Sequence, residues 1–290
     1  MVSSTHSPFV ASRLTAHDVS VGYGKKSIIK DVNIAIYDNE FSVIIGPNGC
    51  GKSTLLKTFS HIMQPQSGEI RLDDNDVFHA KPKWVARQLS LLAQGAVITE
   101  PLTIYELVSR GRYPYQSFLL QWSAEDERAV HDALKAVDLW PMAQKLVSEL
   151  SGGQRQRVWF AMTLAQQTPI ILLDEPTTYL DIAHQIEMLD LCQRLHQQGK
   201  TLVLVLHDIN LALRYASRLI MMKEGQIYAE GKPEKIITEQ NIKNVFGLPC
   251  RIISDPESGK PLIIPKYKIN NRQNIFYILG LKIKKSENMA

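Results

Sequence analysis

Cysteine is scarce: of 290 residues only Cys50, Cys192 and Cys250 carry a thiol. Their spacing is neither that of a zinc site nor that of a small disulfide-stapled domain, so reduced thiols are expected. Long apolar runs are also missing. Nothing approaches the roughly 18 residues needed to cross a bilayer, and the opening stretch MVSSTHSPFVASRL has no signal-like apolar core. A cytoplasmic chain is therefore expected. Charge of one sign is lacking too. The net charge is +4, but residues 266 to 290 hold six Lys or Arg (Lys266, Lys268, Arg272, Lys282, Lys284, Lys285) against Glu287 alone. That surplus of five leaves residues 1 to 265 one charge below neutral, which argues against a broad nucleic-acid-binding face. Internal repeats and low-complexity linkers are absent, and a hydrophobic fraction of 44% is that of a globular chain.

The patterning present is of two kinds. Residues 13 to 40 read as alternating strands with turns at GYGKK and YDNE, and GEIRLDD adds another, which predicts a small antiparallel sheet. By contrast FSVII, IILL (170 to 173) and LVLVL (202 to 206) are continuously apolar, as parallel strands covered on both faces are. Each of these three runs ends in polar residues. Ligands of open α/β sheets bind at the C-terminal strand edge, so these ends are expected to converge on one site. A mostly helical stretch, about 100 to 165, lies between the first two runs. It contains SAEDERAVHDALKAVDL, an amphipathic helix with Ser123 as its cap. Toward the C-terminus, PEKIITEQNIKNVFG reads as a short helix pair.

The first polar end is GPNGCGKST, whose Gly46, Gly51, Lys52 and Ser53 fit the G-x-x-x-x-G-K-[ST] phosphate loop between a buried strand and a helix. Its residues Gly46, Pro47, Asn48, Gly49, Cys50, Gly51, Lys52, Ser53 and Thr54 form the expected cradle. Glycines let backbone N–H groups approach an anion, and the helix start adds its positive end. Lys52 would reach the β- and γ-phosphates and the Ser53 hydroxyl would ligate Mg²⁺. Cys50 is read as a small filler, at which an alkylating group would block the loop. A phosphate loop by itself leaves kinases, GTPases and other NTPases open.

Four further motifs narrow the field: LSGGQRQR (150 to 157), IILLDEP, TYLD and the histidine of VLHD. With them the sequence, from about residue 13 to 265, resembles the ATPase subunits of ATP-binding cassette (ABC) transporters. The resemblance implies an α/β P-loop NTPase core with a mostly parallel sheet, a small antiparallel β subdomain and an inserted helical subdomain. It implies ATP and Mg²⁺ as ligands. Asp174 would hold Mg²⁺, Glu175 would polarise the attacking water as general base, and His207 would orient it against the γ-phosphate. Tyr23 in VGYG resembles the aromatic that stacks on adenine. Gln94 in LLAQ matches a position that senses nucleotide and metal and faces the membrane subunits.

LSGGQ opens a helix whose Val158, Ala161, Leu164 and Ala165 form a stripe to be buried. About fifteen helical residues put Ser151 on the order of 22 Å from the following strand. Ser151, Gly152, Gly153 and Gln154 are thus expected to meet a partner chain's nucleotide, with Asp181 of TYLD at the seam of a head-to-tail dimer. In GRYPYQSFLLQW, Tyr113, Tyr115, Phe118, Leu119, Leu120 and Trp122 read first as core. In the family the segment after the position of Gln94 lines the groove for a permease helix.

The sequence resembles an importer's separate motor subunit, with the permease expected on other chains. TIYELVSRGRYPYQS, TTYLDIAHQIEML and LHDINLALRYA are similar to the ATPases of ferric-siderophore, haem and cobalamin uptake, and GRYPYQS tilts toward ferric siderophores. The implied partners are a second copy, polytopic permease subunits and, indirectly, a substrate-binding protein, at the cytoplasmic face of the inner membrane. A translation ABC ATPase would carry two cassettes, and a repair one a long coiled coil between phosphate loop and signature. A non-hydrolysing regulator would lack Glu175 or His207. The basic tail 266 to 290 departs from the family.

Overall fold

The computed structural model describes residues 12–24, 26–93, 100–117 and 122–266. In chain order the elements are β1 (Ser12–Tyr23), β2 (Lys26–Tyr37), β3 (Phe41–Ile45), α1 (Lys52–Phe59), β4 (Ser67–Leu72), β5 (Asn75–Asp76), α2 (Pro82–Gln88) and β6 (Leu89–Leu92). There follow α3 (Ile104–Ser109), α4 (Ala124–Ala136), α5 (Gly152–Ala165), β7 (Ile170–Asp174), α6 (Ile182–Gln197), β8 (Thr201–Val205) and α7 (Ile209–Tyr215). The chain closes with β9 (Arg218–Lys223), β10 (Gln226–Gly231), α8 (Pro233–Ile236), α9 (Glu239–Phe246), β11 (Cys250–Ser254) and β12 (Pro261–Pro265).

The expected antiparallel sheet is present in the order β2-β1-β4-β5. A second sheet runs β10-β9-β3-β8-β7-β6, parallel except for the antiparallel edge strand β10. Its central strands are apolar throughout because two cores flank them. Phe41, Val43, Leu202, Leu204, Ile171 and Leu173 enter the core shared with the helices α3 to α5. Ile44, Val203, Val205, Ile170 and Leu172 enter the one shared with the antiparallel sheet. Residues that alternate along a strand point to opposite faces, so both sets must be apolar. A third sheet, β11-β12, was not foreseen.

The insert is helical as expected, and α4 starts on the Ser123 capping box, completed by Asp126. Two expectations need correction. Helix α5 buries Phe160 and Thr163 besides Val158, Ala161 and Ala165, while Leu164 is only partly buried. It is enclosed by α3, α4 and β6 and so lacks a single stripe. Tyr113 and Trp122 are 57% and 40% exposed, so the core reading fails for them. Phe118, Leu119 and Leu120 lie outside the described residues.

What holds the GRYPYQS segment is a buried charge. Arg112 is 1% exposed; its Nε donates to Asp126 Oδ1 at 2.7 Å, and its Nη1 donates to Ala165 O at 2.9 Å and Gln167 Oε1 at 3.0 Å. Its guanidinium also lies 4.0 Å from the centroid of the Tyr115 ring. Burial opposes the charge on Asp126, but Arg112 and Ser123 hold its carboxyl below the usual range. Arg112→Ala leaves that carboxylate buried without its partner and is expected to cost about 3 to 5 kcal/mol in urea unfolding. A loss below about 1 kcal/mol would show the pair to be dispensable.

Candidate active site

Strand β3 delivers the chain into Gly46, where no side chain fits: a Cβ would lie 2.3 Å from Met222 O and 2.7 Å from Cys50 Sγ. The loop then turns through Gly49 (φ 78°) and Gly51 (φ 104°), left-handed conformations that favour glycine. Gly51 is also the N-cap of α1. The turn between β9 and β10 braces the loop from behind. Gly225 N–H donates to Cys50 O at 3.2 Å, and Lys30 N–H donates to Gly225 O at 3.0 Å. A Cβ on Gly225 would stand 2.2 Å from Ile28 O, so this brace requires glycine as well.

Lys52 is buried, its Nζ donating to Gly46 O at 2.9 Å and Pro47 O at 3.1 Å. The ammonium is thereby folded over the rim of the loop. Ser53 Oγ donates to Asp174 Oδ1 at 2.8 Å, joining the loop to the end of β7. Asp174 is 1% exposed, and burial pushes its carboxyl above the usual range, with the Ser53 hydroxyl pulling the other way. Its second oxygen, Oδ2, is buried without a hydrogen-bond partner. A desolvated carboxylate oxygen beside a serine hydroxyl suits a hard cation. Among the described residues no cluster of three or more His, Cys, Asp or Glu forms an all-protein metal cage. The Ser53 hydroxyl and the unpartnered Asp174 Oδ2 are the groups that could hold Mg²⁺, which takes one or two protein oxygens and otherwise waters and phosphate oxygens.

Glu175 follows in the left-handed region (φ 53°), its N–H donating to Val205 O at 3.2 Å. This kink turns the side chain toward the end of β8, where His207 Nε2 lies 2.6 Å from Glu175 Oε1. Thr178 Oγ1 donates to Glu175 Oε2 at 3.3 Å. The expected convergence of three strand ends is therefore observed. Together they open onto a cleft of about 740 Å³ lined by Asn48, Gly49, Lys52, Ser53, Thr54, Glu175 and His207, among others.

The remaining expected residues lie elsewhere. Tyr23, 60% exposed, stands at the end of β1, opposite Lys26, which does line the cleft. Ser151 and Gln154 form the capping box of α5: Gln154 N–H donates to Ser151 Oγ at 3.2 Å and Ser151 N–H donates to Gln154 Oε1 at 3.1 Å. Gly152 and Gly153 pack beside Tyr179 and Leu180, where a Cβ on Gly153 would come 3.2 Å from Leu180 Cδ2. Asp181 caps α6 by accepting from His184 N–H at 3.0 Å, a bond that holds its carboxyl low. None of these lines the cleft of the same chain. Gln94 lies outside the described residues.

Sequence reasoning overlooked Lys26, Ile28, Lys30 and Glu224, which also line the cleft. The only available signal was a lysine at each end of KSIIK, which is common on exposed strands. Cys50 is buried, and burial pushes its thiol up despite nearby Lys52. All three thiols are buried. A chromogenic disulfide is expected to titrate almost none of them in the native protein and all three after unfolding. Rapid native labelling of Cys50 would show the loop to be open to alkylation.

Residues 29–178 match the ABC transporter family. The chain is 49% identical over 255 residues to the ferric enterobactin transport ATP-binding protein FepC of Escherichia coli (strain K12), across 88% of this chain and 94% of that one. It is 49% identical over 251 residues to the petrobactin import ATP-binding protein FpuD of Bacillus anthracis, across 86% and 92%. Its fold is similar to that of MJ0796, a bacterial ABC transporter cassette solved as a dimer. There the TM-score is 0.67 at 32% identity, with 76% of this chain and 98% of that one covered.

Proposed function

The chain belongs to the ABC transporter family, and from that membership we propose that it is the MgATP-hydrolysing motor subunit of an importer that carries ferric siderophores across the cytoplasmic membrane. The observation that carries hydrolysis is the meeting of Ser53, Asp174, Glu175 and His207 at three adjacent strand ends. The phosphate loop and Lys52 bind and orient the phosphates. Ser53 and the free oxygen of Asp174 hold Mg²⁺, which supplies charge neutralisation of the phosphates when bound. Glu175 accepts the proton of the attacking water, and His207, in contact with that carboxylate, keeps it aimed. The water oxygen bonds to the γ-phosphorus as the bond from that phosphorus to the β–γ bridging oxygen breaks, so that ADP leaves and inorganic phosphate is formed.

Residues 13 to 265 act as the nucleotide-binding unit, with the insert at about 100 to 165 working as its helical subdomain. Two copies pair head to tail so that Ser151, Gly152, Gly153 and Gln154 close the partner's cleft, with Asp181 at the seam. The dimeric form of MJ0796 supports the pairing of two copies. Among the described residues no helix is long and apolar enough to cross a membrane; permease subunits supply the path, and the motor sits on their cytoplasmic side. The cargo rests on the relatives named for ferric enterobactin transport and petrobactin import. The test is a strain lacking this chain, assayed for uptake of labelled ferric siderophore, haem and cobalamin. Loss of siderophore uptake alone is expected. Normal siderophore uptake with lost haem or cobalamin uptake would reassign the cargo.

A further inference from the structure

Strand β2 runs along the cleft, contributing Lys26, Ser27, Ile28 and Lys30 to its wall. Ile28 leans on the phosphate loop, its Cγ2 3.5 Å from where a Cβ on Gly51 would be. Lys26 is the cross-strand partner of Tyr23, so the ammonium is carried at the hairpin end where that ring is exposed. Among the described residues the Lys26 side chain makes no hydrogen bond and no ion pair. Lys52, by contrast, is held by Gly46 O and Pro47 O at the far end of the cleft.

Lys52, Ser53 and Asp174 mark the end that takes the terminal phosphates, and Tyr23, read as the ring that stacks on the base, stands beside the cleft opposite Lys26. The groups of a nucleoside triphosphate that fall between its terminal phosphates and its base are the sugar and the α-phosphate. We infer that Lys26 is a nucleotide-binding residue whose ammonium pairs with the α-phosphate of ATP and, after hydrolysis, of ADP. This rests on the reading of the cleft as an ATP site. An ammonium is a compact point charge on a flexible stem, suited to an anion that needs no bidentate fork. Because the α-phosphate is untouched by hydrolysis, the contact persists through turnover. Lys26 therefore helps to set how tightly product ADP is retained, while the loop discriminates the terminal phosphate.

Calorimetric titration of the full chain with MgATP and MgADP tests this. Lys26→Gln is expected to raise both dissociation constants by the same factor, about five- to tenfold. That factor should shrink as KCl screens the pair, and Lys26→Arg should restore most of the affinity. Because Lys26 is exposed, circular dichroism should show the variant folded like the wild type. Weakening of ATP alone would move the contact to the γ-phosphate and overturn the inference, as would constants within twofold of wild type for both nucleotides. Wild-type protein that binds neither nucleotide would overturn the ATP reading as well. Wild-type binding that Lys52→Ala abolishes and Lys26→Gln leaves unchanged would reject the role of Lys26 alone.

Discussion

Replacing Glu175 with Gln is expected to lower ATP turnover by roughly a hundred- to ten-thousand-fold while nucleotide binding stays intact. The amide has the shape of the carboxylate and can still meet His207 and Thr178, so the kink at φ 53° and the contacts of the cleft survive. What is lost is the basicity that takes a proton from water. The phosphate-binding parts are on other residues: Lys52 on the loop rim, Ser53 and Asp174 on the metal side. Phosphate release at saturating MgATP measures the first effect and equilibrium nucleotide binding the second. Turnover within tenfold of wild type would place the base elsewhere; loss of binding would show Glu175 to be structural.

The second large effect concerns the distance between the cleft and the start of α5. Ser151 caps that helix, is exposed and lies outside the cleft of its own chain, and its neighbour Gly152 packs beside the exposed Tyr179. A composite site across two chains predicts that Lys52→Ala and Ser151→Arg, each inactive as a homodimer, complement one another in part. In a mixed dimer both defects fall in one site and the other is intact. Co-purified mixed dimers carrying two different tags should therefore regain up to about half of wild-type ATPase activity if the two sites fire independently. Activity in mixed dimers no higher than in either homodimer, with nucleotide still bound at the intact site, would contradict independent composite sites.

Much of this was legible because the relevant signals are local. FSVII, IILL and LVLVL are apolar at every position since each strand has a core on both faces, and their polar ends meet because parallel strands end at one edge. The glycines of the loop, the Ser123 cap and the DEP and HD strand ends can each be read within a few residues. Contacts that link distant parts of the chain could not be. Arg112 looks like a surface arginine in GRYPYQS, and only the packing of α4 and α5 reveals its burial against Asp126 and Ala165. The brace from Gly225 to Cys50 spans the sequence from β10 back to the loop, with nothing in EGQ to announce it. The β11-β12 hairpin pairs strands separated by DPESGK, a longer loop than the tight turns that sequence patterns identify well. Lys26 was passed over because an exposed lysine on a strand is ordinary until the cleft beside it is seen.

Hydrolysis in this cleft as the power source for iron uptake is tested most directly in proteoliposomes. These would hold the chain with its permease, ATP on the chain's side, and labelled ferric siderophore with its binding protein on the other. Wild-type chain should accumulate the label against its gradient, with phosphate released in step. Glu175→Gln should bind nucleotide and accumulate none beyond the ATP-free background. Transport by Glu175→Gln at the wild-type rate would contradict Glu175 as the origin of the driving force.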